Sequence, residues 1–173
     1  ACLQKAEETG APAGAMVLLI RRAQALMEAA GDDGDFDALC QQLHRYQATL
    51  RTCFTLENFD NLIKNGRMRP IVGTLLRSLG IHIIADATAE GTIHVADKAR
   101  GVGKTYRAIT ALMKASKDCT DAEVVISHCE NLEGAMALKR QILADLPVKQ
   151  VDLLSCRGLT SFYAMEKGLI VGY

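Results

Sequence analysis

Apolar positions recur at helical spacing from Ala13 to Ala30, where Met16, Leu19, Ile20, Ala23, Leu26 and Met27 repeat every three or four residues before the turn-forming run Gly31-Asp32-Asp33-Gly34. That pattern predicts a helix. A second helix is predicted through Leu50, capped by Asp35 or Asp37 and carrying Phe36, Leu39, Leu43 and Tyr46 on one face, so the two form a hairpin. From Arg51 the rhythm changes. Thr52-Cys53-Phe54-Thr55-Leu56 is β-branched and aromatic and reads as a strand, followed by short helices at 57–64 and 70–79, with Gly80 ending the latter. Segments 81–85 and 92–96 predict a β-hairpin with a longish turn. Beyond them the pattern predicts a helix over 104–117, a strand over 123–127, a helix over 132–146, and strands over 148–154 and 168–172. The fold class expected is α/β, a mixed sheet with helices packed on it. The one plausible boundary lies near Leu50, between residues 1–50 and 51–173.

Composition narrows the function classes. With 173 residues and 49% hydrophobic content, the chain can bury a core. Its 20 basic and 20 acidic side chains balance, so no broad positive field exists to collect a phosphate backbone and no nucleic-acid partner is expected. The longest apolar runs, such as Met16 to Ile20, fall far short of the roughly 20 residues that cross a bilayer, so no membrane span is expected. The segment Ala1 to Glu8 lacks an initiator Met and reads as the inside of an amphipathic helix, as though the chain began within a longer one. The six cysteines are never closer than ten residues, which excludes zinc-ribbon spacing and fits a reduced, cytoplasmic protein.

Several local patterns invite chemistry. Gly101-Val102-Gly103-Lys104-Thr105 resembles the end of a phosphate-binding loop, but the position that needs the first glycine holds Lys98, so a glycine-loosened helix start is the better reading. His128-Cys129-Glu130 contains ligand and nucleophile types, yet neighbours at a strand end point apart and no third group completes a site; a structural turn is expected. His82 and His94 alternate with Ile81, Ile83, Ile93 and Val95, which places both on the opposite, solvent face. Thr160, Ser161 and Tyr163 gather three neutral hydroxyls in one loop, suited to a carboxylate, with simple packing by Phe162 and Tyr163 as the plainer alternative. Lys98, Arg100, Lys104 and Arg107 make a local basic patch, either a solvated cluster or a contact for a partner. Neither a cofactor nor a metal is implied.

Three elements in series carry more than any one of these patterns. Leu62-Ile63-Lys64-Asn65-Gly66-Arg67-Met68 is followed by Lys98-Ala99-Arg100 before a basic helix, and then by His128-Cys129-Glu130-Asn131 at a strand end. Their order and spacing resemble the second half of the DegV family, in which two α/β lobes clasp a long-chain fatty acid, and whose better-understood members present that acid to a fatty-acid kinase.

The resemblance implies a non-catalytic, fatty-acid-binding protein, with residues 1–50 a helical remnant of the first lobe and 51–173 the C-terminal lobe. The family's first-lobe motifs that hold the carboxylate are absent from this sequence, and its late glycine-rich loop is replaced by Leu159 to Met165, which puts Tyr163 in place of the ligand-side histidine. For a fatty-acid ligand the residues expected are Thr160, Ser161 and Tyr163 at the head group, for their hydroxyls, and Met68, Ile71, Leu75 and Ile83 along the tail, an apolar face that folding alone would also require; Lys98, Arg100 and Lys104 are expected to face the kinase. The alternatives are an enzyme related to dihydroxyacetone kinase and a degenerate fragment that binds nothing.

Overall fold

The computed structural model describes residues 13–31, 34–68, 81–87 and 93–173. The predicted helix at 70–79, with Ile71 and Leu75, lies outside the described residues, as do Cys2 and the 88–92 turn. The elements are α1 (Ala13–Ala30), α2 (Phe36–Thr49), β1 (Thr52–Leu56), α3 (Asp60–Lys64), β2 (Ile81–Ala87), β3 (Ile93–Arg100), α4 (Val102–Ser116), β4 (Glu123–His128), α5 (Leu132–Asp145), β5 (Gln150–Ser155), α6 (Gly158–Ala164) and β6 (Leu169–Gly172). Among the described residues six strands form one mixed sheet in the order β3-β2-β1-β6-β4-β5. Only β4 and β5 pair in parallel, because α5 carries the chain back between them.

Strand alternation sorts the side chains into two cores. On one face Cys53, Ile84, Val124, Ile126, Leu169 and Val171 pack beneath α4 and α5, which contribute Ile109, Met113, Leu138 and Ile142. On the other face Phe54, Leu56, Ile83, Ala85 and Ile170 join Phe59, Leu62, Met68 and Ala164. The β4/β6 part of that second face is covered by α1, whose Gly14 and Ala15 lie against the backbone of Val125 and Gly172. Arg21 of α1 reaches Asp152 at 2.6 Å and Glu123 at 3.7 Å. These pairs are substantially exposed and contribute about 1 kcal/mol or less.

Two expectations are corrected. His82 is not on a solvent face: it shares its face with the fully buried Ile84, since α4 covers that side of β2, and it is itself half-buried. His94 is exposed and pairs with Asp86 at 3.0 Å. Second, residues 158–164 form α6 rather than a loop. Other differences are at boundaries. The Asp60 N–H donates to Asn58 Oδ1 at 2.8 Å, and this local turn delays α3 to Asp60.

The fold holds several acidic hydrogens away from water. Burial pushes the Cys53 thiol and the Tyr173 phenol well above their ordinary ranges, and burial with the neighbouring Cys129 pushes Cys156 up to about 11. Each group is favoured neutral in the folded state, so its contribution is complete below its unfolded-state value, 9.0 for the thiols and 10.0 for the phenol, and is lost as pH rises. The urea midpoint is therefore expected to fall between about pH 8 and about pH 10.5, and an unchanged midpoint would contradict this assignment.

Candidate functional site

The segment Leu62 to Met68 shapes one wall of the second core. Gly66 takes φ of +68°, a conformation that disfavours side chains with a Cβ. The chain then folds back so that the Arg67 and Met68 N–H groups both donate to the Leu62 carbonyl, at 2.8 and 3.2 Å. Asn65 Nδ2 donates to the Asn61 carbonyl at 2.8 Å. The result buries Met68 beside Leu62, in the same cluster as Ile83, while Arg67 stays exposed.

Tyr163 packs against this cluster from α6, its ring edge-on to Phe162 with centroids 5.1 Å apart. Asn61 Nδ2 donates to the Phe162 carbonyl at 2.6 Å and so ties α3 to α6. The structure thus gathers Met68, Ile83 and Tyr163 into one apolar assembly. Thr160 and Ser161 lie half-buried on the same short helix. Phe54, Leu56, Phe59, Leu62 and Ile170 belong to the assembly as well and are not among the ligand-facing residues expected from sequence. The apolar surface continues onto β2 and β3 through the half-buried Ile81, Ile93 and Val95.

The basic residues divide. Lys98 and Arg100 pair in register with Ile83 and Ile81, which puts them on the edge strand toward the Met68 side of the sheet. Lys104 lies in the first turn of α4, on the opposite side, and all three are exposed. Gly101 alone connects β3 to α4, at φ of +84°, and Thr105 Oγ1 donates back to its carbonyl at 3.1 Å. A single connecting residue leaves no loop to wrap a phosphate, so this segment is a helix start.

His128 is buried at the end of β4, where its Nδ1 accepts from the Asn131 N–H at 3.4 Å. Asn131 caps α5 by accepting from the Gly134 N–H at 3.1 Å, and Glu130 occupies the left-handed region at φ of +48°. His128 Nδ1 and the Asn131 side chain are therefore used in building the β4–α5 junction. Among the described residues no cluster of three His, Cys, Asp or Glu side chains could hold a metal ion, and no helix is long and apolar enough to cross a membrane.

Comparison with known proteins bears on what this apolar assembly is. A family profile described as "Uncharacterised protein, DegV family" matches residues 8–169. A DegV domain-containing protein of Streptococcus gordonii is 32% identical over 139 residues, which is 80% of this chain and 49% of that protein. A Streptococcus pneumoniae relative of the same description gives the same figures. The chain thus spans about half the length of the curated relatives it matches.

Among solved structures, the Streptococcus pneumoniae fatty acid kinase (Fak) B3 protein loaded with linoleic acid superposes with a TM-score of 0.82 at 30% identity, over 92% of this chain and 56% of that one. A DegV family protein of Eubacterium eligens loaded with heptadecanoic acid also gives 0.82, at 25% identity over 91% and 55%. On the extent of the profile match and the agreement of its fold, the chain belongs to the DegV family.

Proposed function

We propose that this protein binds a long-chain fatty acid without catalysing a reaction on it and presents the acid to a fatty-acid kinase in the cytoplasm. The observation that carries the reading is the second apolar core. Met68 and Ile83 sit in one apolar surface that extends to the edge of the sheet, and the hydroxyl-bearing α6 borders it. Two structural relatives were solved with linoleic and heptadecanoic acids.

In this proposal Met68, Ile71, Leu75 and Ile83 flank the acyl chain, each buried CH₂ contributing about 0.8 kcal/mol. Thr160, Ser161 and Tyr163 donate toward the carboxylate. Residues 1–50 serve as the helical remnant of a first lobe and 51–173 as the second. Lys98, Arg100 and Lys104 meet the kinase, with Lys98 and Arg100 nearer the acyl side.

Solvent extraction of the purified protein followed by mass spectrometry tests the reading. Long-chain fatty acid in near-stoichiometric amount is expected, and its absence after expression in a lipid-replete host would contradict it. Tyr163→Phe is expected to weaken binding of a fatty-acid anion by about tenfold, the loss of one hydrogen bond to a charged group; unchanged affinity in a direct titration would remove Tyr163 from the head-group site. Arg100→Ala is expected to leave that affinity alone while weakening capture by the kinase, and equal capture of both proteins would end the docking assignment.

A further inference from the structure

Two of the cysteines meet where the parallel strands β4 and β5 end. The ladder pairs Ser127 with Leu154 and His128 with Ser155, and the Cys156 N–H continues it by donating to the His128 carbonyl at 2.8 Å. The next neighbours across the ladder are therefore Cys129 and Cys156. On its other side Cys129 is held by the chain entering β6. Its N–H donates to the Gly168 carbonyl at 3.1 Å, and its carbonyl accepts from the Lys167 N–H at 2.9 Å.

Alternation decides where the two thiols point. Residues two apart along a strand share a face, so Cys129 follows Ser127 and Cys156 follows Leu154 onto one side of the sheet. The packing agrees, since both side chains lie against the core that contains Phe54 and Ile170. Neighbouring strands run about 4.8 Å apart, inside the roughly 4.4–6.8 Å between Cα atoms that a disulfide spans. Access then separates this pair from Cys53 and Cys119, which are 0% and 3% exposed in the α4/α5 core. Cys129 and Cys156 are only half-buried, within reach of a small oxidant in the folded protein.

The chemistry has a natural order. Burial, and after it the neighbouring Cys129, pushes the Cys156 thiol up to about 11, so Cys156 is the poorer first nucleophile and Cys129 the attacking thiol. The Cys129 thiolate displaces one thiolate from a low-molecular-weight disulfide and becomes a mixed disulfide. With that sulfur neutral, the charge opposing ionisation of Cys156 is gone. Cys156 then gives its proton to solvent, attacks the Cys129 sulfur and expels the second thiolate. The two protein thiols lose two electrons and two protons, and the oxidant is reduced to two thiols.

We propose that Cys129 and Cys156 form a reversible disulfide, a redox-responsive modification site that ties the end of β4 to the end of β5 two residues before α6. The test incubates the folded chain with oxidised glutathione, alkylates the remaining thiols and maps the cysteines by peptide mass spectrometry without reduction. A peptide linking Cys129 to Cys156 is expected in most molecules, reversed by dithiothreitol, with Cys53 and Cys119 still reduced. In Cys156→Ser the link is lost, and Cys129 is expected to accumulate as the glutathione mixed disulfide, a species nearly absent from the parent. If that variant does not fold, Cys129→Ser takes its place, with loss of every internal link as the expectation. Glutathione adducts without the internal link in the parent, linkage of either residue to another cysteine instead, or no oxidation at either residue would each overturn the assignment.

Discussion

Gly172→Ala is expected to destabilise the protein by about 3 kcal/mol, the upper end of what overpacking a close contact costs. Gly172 has ordinary strand geometry, so the effect comes from space rather than backbone strain. An added Cβ would fall on the Ala15 nitrogen and the Gly14 carbonyl carbon, both main-chain atoms of α1 that no rotamer change can move. The contact is reciprocal, since a Cβ on Gly14 would stand 2.8 Å from the Val125 carbonyl oxygen.

To accept the alanine, α1 must lift from β4 and β6 and expose Ala15, Leu18 and Leu19, each now at most 3% exposed. The exposed ion pairs of Arg21 are too weak to hold it. Urea unfolding measures the change, and hydrogen exchange should show α1 losing protection before β4. A variant within about 0.5 kcal/mol of the parent would contradict the close docking of α1.

The second large effect separates the two faces of the sheet. Ile83 and Ile109 are both fully buried, Ile83 in the Met68 core and Ile109 under the opposite face. Replacing either with alanine removes the same atoms, and each is expected to cost about 2–5 kcal/mol. Bound fatty acid raises stability by RT ln(1 + [L]/Kd), about 2.7 kcal/mol at a hundredfold excess over Kd. In Ile109→Ala that increment should survive intact. In Ile83→Ala it should shrink under the proposed assignment, in which Ile83 walls the acyl chain as well as filling the core. Thermal unfolding of both variants with and without oleate reads the difference, and equal increments would place the ligand elsewhere.

Periodicity and β-branching were enough to place β1, the β2–β3 pair and the α4-β4-α5-β5 run to within a few residues, because α4 and α5 bury one face each while β1 and β4, buried on both, are short apolar and β-branched runs. The Asn65-Gly66-Arg67 element was legible for a local reason: only the left-handed Gly66 lets Met68 turn back beneath Leu62. The helix α6 was not. Its Leu159 and Phe162 are exposed, and part of its support is tertiary, through Asn61 and the Phe162 carbonyl, so no periodic signal marks it. His82 was misplaced because alternation gives two faces without saying which one a distant helix will cover.

The claim that the acyl chain lies on the Met68 side of the sheet is most directly tested with a fatty acid spin-labelled near its methyl end, titrated into methyl-labelled protein. The methyl signals of Met68, Ile83 and Ile170 should broaden most strongly, and those of Ile109, Ile126 and Ile142, across the sheet, should broaden less. Equal broadening on both faces, or broadening confined to the α4/α5 side, would contradict it.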